Sequence, residues 1–184
     1  GTTGRGIGPC YADKVTRCGI RMVDLLNPRV FAAKLKDNLL EKNEYFQKVF
    51  DQQGFTFNAI YDEYRGYAKR LKPYVCDTAL YLHDAMAKKK RILFEGAQGA
   101  FLDIDFGTYP YVTSSNTIVG GVTSGSGVPP TKIDKVIAAV KAYTTRVGGG
   151  PYPTEFDAKM ENDIRTKGKE YGATTGRARR CGWF

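Results

Sequence analysis

An apolar run that stops abruptly at glycines and hydrogen-bonding side chains constrains this chain more than any other feature. Residues 91–94 (Arg-Ile-Leu-Phe) follow the basic helix end Lys88-Lys89-Lys90 and lead into Glu95-Gly96-Ala97-Gln98-Gly99. A short apolar run bounded by glycine predicts a buried strand, and in α/β proteins ligands collect at the carboxyl ends of strands. Gly96 and Gly99 let a ligand approach the backbone there, and the Gln98 amide both donates and accepts hydrogen bonds. A second polar cluster, Tyr111-Val112-Thr113-Ser114-Ser115-Asn116-Thr117, follows within reach of the first. The fold class this implies is α/β, with residues 94–117 as the candidate ligand site.

Other segments support a site for anions. Gly1-Thr2-Thr3-Gly4-Arg5-Gly6-Ile7-Gly8-Pro9 precedes a helix predicted to start near Pro9, a good first helical residue. A loop of free N–H groups at a helix start takes anions, although the same composition also suits a flexible glycine-rich end. The helix carries Lys14 and Arg17 on one face. Further on, residues 120–127 form another glycine-rich turn, and residues 135–143 (Lys-Val-Ile-Ala-Ala-Val-Lys-Ala-Tyr) predict a second strand ending in Thr144-Thr145-Arg146-Val147-Gly148-Gly149-Gly150. Residues 161–169 predict a short helix. Near the end, Gly172-Ala173-Thr174-Thr175-Gly176-Arg177-Ala178-Arg179-Arg180 sets hydroxyls beside guanidinium groups. A plain basic surface accounts for the arginines; the neighbouring threonines favour bidentate recognition of carboxylate or phosphate.

Between these segments the pattern is helical. Val30, Phe31, Leu35, Leu39 and Leu40, then Tyr45, Phe46, Val49 and Phe50, recur at helix spacing, with Gly54 as the expected stop. Ile60, Tyr61, Tyr64, Tyr67, Ala68 and Leu71 form a second series, in which the tyrosines suit a core better than a base-stacking surface. Val75, Ala79, Leu80, Leu82 and Met86 form a third, and it holds His83, the only histidine, for which packing or solvation is the ordinary role. A lone histidine excludes a multi-histidine metal site, and four cysteines without a C-x-x-C pair argue against structural zinc and, with no secretory segment in view, for reduced thiols. With 42% hydrophobic residues and no long apolar run, nothing points to a membrane span. The formal charge of +9 favours anionic partners without naming them. Both ends look cut, one opening in a glycine loop and the other stopping on Trp183-Phe184, so the chain is expected to be the middle of a larger protein.

Neither G-x-x-x-x-G-K-[ST] nor G-x-G-x-x-G occurs. Thr131-Lys132-Ile133-Asp134 matches a guanine-reading tetrapeptide but precedes a predicted strand, where such a motif should follow one. Longer motifs are more specific. Residues 1–9, 94–98 (Phe-Glu-Gly-Ala-Gln), 102–110 (Leu-Asp-Ile-Asp-Phe-Gly-Thr-Tyr-Pro), 112–117 (Val-Thr-Ser-Ser-Asn-Thr), 141–148 (Lys-Ala-Tyr-Thr-Thr-Arg-Val-Gly) and 174–183 (Thr-Thr-Gly-Arg-Ala-Arg-Arg-Cys-Gly-Trp), in this order across the whole chain, resemble adenylosuccinate synthetase.

The resemblance implies part of a P-loop-NTPase-like mixed sheet with a helical subdomain inserted near the N-terminal half. Within one larger catalytic domain, residues 1–27 would form the IMP-binding loop and helix, 28–90 the helical subdomain and 91–184 the sheet core and substrate loops. It implies ligation of IMP and L-aspartate, with GTP as co-substrate and Mg²⁺ as cofactor, through 6-phosphoryl-IMP. Thr3, Arg17, Gln98, Thr113 and Arg177 match IMP contacts, Arg17 being donated across a homodimer to the partner's site. Val147 and the loop of Ala173, Thr174, Thr175, Gly176, Arg177, Ala178 and Arg179 match the aspartate region, and Arg179 also reaches GTP. Gln98 would stabilise the transition state by offering N–H to charge developing at the purine 6-position. The family's catalytic aspartate and histidine, its phosphate loop and one Mg²⁺ ligand set lie upstream of Gly1 and its guanine-reading motif downstream of Phe184, the Mg²⁺ ligands falling mostly outside the segment, so the segment alone is expected to be inactive. A cytoplasmic enzyme follows. Two alternatives stand beside it: a basic nucleic-acid-binding module, against which the helix-core spacing of the aromatics speaks, and a non-catalytic relative of the family.

Overall fold

The computed structural model describes residues 4–173 and 176–184, and the chain divides into two compact units, Pro9–Tyr81 and the residues on either side of it. The helices are α1 (Ile7–Thr16), α2 (Met22–Leu26), α3 (Pro28–Phe50), α4 (Phe57–Leu71), α5 (Thr78–Ala87), α6 (Gly120–Ser126) and α7 (Ala158–Gly168); the strands are β1 (Thr144–Val147) and β2 (Arg179–Gly182).

In the helical unit, Asn27 sets the boundary between α2 and α3. Its side chain accepts from the Arg29 and Val30 amides at 3.1 and 3.3 Å, and Pro28 fills the first helical position, where no N–H is needed. The apolar spacing of α3 then brings Phe31 and Leu35 onto one face, where they bury against Leu25 and Ala68. Phe31, only 2% exposed, stacks on Tyr61 with ring centroids 5.4 Å apart, and Phe57 stacks on the same tyrosine at 5.2 Å. Tyr61 thus packs on the core, while Tyr64 and Tyr67 stay largely exposed.

α3 ends at Asp51, in the left-handed conformation with φ 50°, three residues before the expected stop at Gly54. Gly54 serves a different end. A Cβ there would lie 2.5 Å from the Asn43 carboxamide, which clasps Phe55 by accepting from its amide at 2.7 Å and donating to its carbonyl at 2.8 Å. α1 begins at Ile7, slightly before Pro9, and ends at Thr16, so Arg17 lies beyond the helix with φ 66°. The Cys18 and Gly19 amides close that end on the Asp13 carbonyl at 3.1 and 3.0 Å. The expected Lys14–Arg17 helix face is therefore not formed. α3 holds this turn through Lys42 to Asp13 at 2.6 Å and Asn38 to the Cys18 carbonyl at 3.0 Å. His83 is exposed on α5.

In the second unit, β1 and β2 pair antiparallel, with Thr144 opposite Gly182, Thr145 opposite Cys181, Arg146 opposite Arg180 and Val147 opposite Arg179. Asp157 caps α7 by accepting from the Lys159 and Met160 amides, starting this helix at Ala158, ahead of the expected Glu161. α7 then lies along β2: Arg165 Nε donates to the Arg179 carbonyl at 3.0 Å, and Glu161 accepts from the Cys181 amide at 3.3 Å. Phe156 and Trp183 meet edge to face with centroids 4.9 Å apart.

Both strands expected from apolar runs are absent. Residues 91–94 and 135–143 have no ladder partner among the described residues, and much of their apolar surface stands in solvent, Leu93 at 86% and Ile137 at 79% exposure, with Ile92, Phe94 and Tyr143 half-buried. An apolar run becomes a strand only when a neighbouring chain segment takes up its backbone N–H and C=O groups. The observed sheet is the β1–β2 pair, which begins where the second predicted strand was to end. Residues 120–127, expected as a turn, form α6 closed by Gly127 at φ 76°. Among the described residues no helix is long and apolar enough to cross a membrane.

Candidate functional site

The segment that carries Gln98 and Thr113 is built around one carboxylate. Asp103 is completely buried, and both its oxygens are occupied. Oδ1 accepts from the Asp105 and Phe106 amides at 2.9 Å each and from the Asn116 side chain at 3.3 Å. Oδ2 accepts from the Thr117 and Ile118 amides at 2.6 and 3.2 Å. The Phe106 amide is the strongest influence holding the Asp103 carboxyl well below the usual carboxylate range; burial opposes it, and the Ile118, Asp105 and Thr117 amides add to it.

The remaining backbone bonds follow from this anchor. Thr113 donates from its amide to the Leu102 carbonyl at 2.8 Å, Ile104 to Ser115 at 3.2 Å, and the Thr117 hydroxyl to the Gly99 carbonyl at 2.8 Å. Gly107 has to be glycine, because a Cβ would sit 2.4 Å from the carbonyl oxygens of both Phe101 and Asp103. Gln98 is exposed beside Gly99 with φ 64°, a conformation that costs a non-glycine residue energy and recurs at ligand sites. The first turn of α1 lies beside the same scaffold: a Cβ on Gly8 would lie 3.7 Å from the Ser114 hydroxyl.

A hairpin carries the arginines. Tyr171 and Ala178 are bridged, the Gly172 amide donates to the Arg177 carbonyl at 2.8 Å, and the Arg179 amide donates to the Glu170 carbonyl at 2.9 Å. At its base the buried Glu170 accepts from the Tyr143 hydroxyl at 2.7 Å and from Arg179 at 2.8 Å, with the Lys141 ammonium 3.7 Å away. Burial alone would raise the Glu170 carboxyl, but these donors outweigh it and hold the group low; in return the Tyr143 hydroxyl is pushed up.

A second arginine pair shapes the loop after β1. Arg146 donates to the Gly149 carbonyl at 3.0 Å and, from its other side, to the Thr108 hydroxyl and the Tyr111 carbonyl at 2.8 Å each. Arg180, ion-paired with Glu155, donates to the Gly150 carbonyl at 2.9 Å.

The structure therefore brings Gln98 and Thr113 onto one scaffold, places Val147 opposite Arg179 across the β1–β2 ladder, and links the two groups through Arg146. Ala173, Gly176, Arg177 and Ala178 lie exposed on the hairpin. Arg17 belongs to the helical unit. Thr3, Thr174 and Thr175 fall outside the described residues. Sequence reading passed over Asp103, Arg146 and Glu170. Only the first leaves a local trace, an aspartate whose side chain meets the amides two and three residues on, as in an Asx turn.

No group of three or more metal-ligating side chains occurs among the described residues, and Asp103 has no oxygen to spare, so these residues do not fit a Mg²⁺ site. What they offer is an exposed amide between glycines and a guanidinium-bearing hairpin, a set suited to polar, anionic ligands.

The adenylosuccinate synthetase family model matches residues 1–184. The chain is 59% identical to the adenylosuccinate synthetase of Heliobacterium modesticaldum and 58% identical to that of Caldanaerobacter subterraneus subsp. tengcongensis, in each case over all of this chain and 43% of the relative. The fully ligated adenylosuccinate synthetase from Plasmodium falciparum superposes with a TM-score of 0.90 at 42% identity, covering all of this chain and 42% of that one. The chain thus spans less than half the length of the relatives it matches, yet agrees with them from its first residue to its last: it belongs to the adenylosuccinate synthetase family.

Proposed function

We propose that this chain forms the substrate-binding part of an adenylosuccinate synthetase, a GTP-dependent ligase that joins IMP and L-aspartate in the cytoplasm for purine biosynthesis. The observation that carries this is the match over every residue of the chain to relatives of that name. GTP phosphorylates the 6-oxygen of IMP, and the aspartate amine displaces that phosphate, giving adenylosuccinate, GDP and phosphate. Gln98 directs its amide N–H at the charge developing on the purine 6-oxygen, a role that its exposed, left-handed position suits. Thr113 holds IMP on the same scaffold, and Thr3 is assigned to IMP from its motif alone. Arg177 takes a carboxylate of aspartate and touches IMP, Val147 lines the aspartate region, and Ala173 to Arg179 form the loop that receives it, Arg179 extending toward GTP. The Mg²⁺ ligands, the catalytic aspartate and histidine and the phosphate loop belong to the rest of the protein.

In the same reading, the exposed runs at 91–94 and 135–143 are strands of a P-loop-like sheet whose other members lie outside this chain, and residues 28–90 are a helical insertion. The deciding assay is adenylosuccinate formation from IMP, aspartate and GTP. The full-length protein is expected to turn over and residues 1–184 alone are not; a silent full-length protein overturns the function, and turnover by the segment overturns its incompleteness.

Two predictions test named residues. A guanidinium fork holds a carboxylate bidentately and an ammonium does not, so Arg177→Lys in the full-length enzyme is expected to reduce kcat/KM for aspartate by about 1.5–3 kcal/mol. Unchanged aspartate kinetics would remove Arg177 from the site. Arg17 is assigned to the partner subunit's IMP site, so Arg17→Leu and Arg177→Leu subunits, each poor alone, are expected to regain activity when mixed. A hybrid dimer has one site with both arginines intact. Activity of the mixture equal to the mean of the parents, in a sample shown by native mass spectrometry to contain hybrids, removes the sharing.

A further inference from the structure

Arg146 spans two loops that sequence separates widely, and all three of its side-chain nitrogens donate across them. One terminal nitrogen donates to the Thr108 hydroxyl and the Tyr111 carbonyl, both at 2.8 Å. Nε donates to the Gly149 carbonyl at 3.0 Å, and the other terminal nitrogen to the Pro151 carbonyl at 3.4 Å. The approach is close enough to dictate the opposing residue: a Cβ on Gly150, which has φ 103°, would lie 2.7 Å from the guanidinium and 2.9 Å from the Tyr111 Cβ. Gly149 likewise faces the Tyr111 ring. The 148–151 loop is held on its other side by Arg180, itself fixed by Glu155.

The two clamped loops adjoin residues of different substrates. Tyr111 is two residues from Thr113, assigned above to IMP, and Arg146 precedes Val147, assigned to the aspartate region. We infer that Arg146 is a positioning residue that holds the IMP-side and aspartate-side loops in register, so that the two substrates are bound in one fixed relative placement. This rests on the function proposed above for the assignment of the loops to substrates, but the clamp itself rests on the hydrogen bonds alone. A lysine cannot replace it, since one ammonium has its three donors at a single point and cannot reach carbonyls on both loops. Thr108→Val removes the hydroxyl that Arg146 uses on the IMP side, together with that hydroxyl's own bond to the Phe101 or Tyr111 carbonyl at 3.3 and 3.4 Å, and leaves the shape nearly unchanged.

The test uses the full-length enzyme with Arg146→Lys, Thr108→Val and the double variant, measuring KM for IMP and aspartate separately, kcat, thermal stability and amide hydrogen exchange. Arg146→Lys is expected to raise both KM values, each by roughly 10-fold, the scale for a lost charge-assisted hydrogen bond. Thr108→Val gives a smaller rise, and the double variant falls short of the product of the two single effects, because the two changes share one link. The N–H groups of residues 108, 109, 111 and 113 and those of residues 148–150 are expected to exchange faster together. Lower melting temperature with both KM values unchanged, a rise for one substrate only, or loss of protection in one loop only would each overturn the clamp. If the wild-type enzyme forms no adenylosuccinate, the proposed function fails; the exchange measurement then still decides whether the loops are coupled.

Discussion

Asp103→Asn in the full-length enzyme is expected to reduce kcat/KM by on the order of 100-fold, the cost of displacing reacting groups by about 1 Å. Five donors converge on this carboxylate, four of them backbone amides, three sharing Oδ1 and two sharing Oδ2. Asparagine has one oxygen. Whichever way its amide is turned, an NH₂ group faces at least two N–H donors at a position with no exposure to solvent. The 102–118 scaffold must then open, and Gln98 and Thr113 are carried on it. Activity within a few-fold of wild type would show that the scaffold does not depend on the carboxylate.

Acid supplies a second readout of the same residue. The folded carboxyl titrates well below its ordinary value, because the amides of Phe106, Ile118, Asp105 and Thr117 outweigh burial. Its contribution to stability is therefore fully present above the unfolded value, near pH 4, and is lost as pH falls through the folded value. Asp103→Asn lacks this contribution, so its stability falls less steeply than wild type as pH drops below about 4, while Glu170 and the other low carboxylates act alike in both proteins. Parallel acid-unfolding curves would count against the carboxylate as anchor.

Phe31→Ala is expected to destabilise the helical unit by about 3–5 kcal/mol. The ring is the largest buried apolar side chain of that unit and is packed among Leu25, Leu35, Ala68 and the stacked Tyr61, so truncation loses its burial and leaves a cavity that helices on several sides cannot close. Phe31→Leu, which keeps most of the volume, should lose less. Denaturant unfolding checks both; a loss under about 1 kcal/mol for alanine would mean that the site collapses freely. The consequence extends to Arg17, because the turn that carries it is tied to α3 at Asp13 and Cys18. A loosened α3 should therefore also raise the KM for IMP, in the shared-site reading of Arg17.

Helices α3, α4 and α5 were legible in the sequence because a helix closes its hydrogen bonds within itself and shows its buried face at a fixed spacing. Their ends were less so: Asp51, not Gly54, closes α3, since a left-handed cap is available to aspartate as well as glycine. The apolar runs at 91–94 and 135–143 were legible as apolar, but a strand needs a neighbour that its own residues do not specify. The motifs identified Gln98, Thr113 and Arg177 as candidates without revealing what holds them. Asp103 reaches the Thr117 and Ile118 amides 14 and 15 positions away, and Arg146 reaches Thr108 and Tyr111 across 38 and 35 positions. Sequence by itself determined the family, the helices and the residue types available to a ligand. Tertiary structure alone decided which carboxylate and which guanidinium tie these loops together, because a polar group acquires its partners only when folding brings them within hydrogen-bond distance.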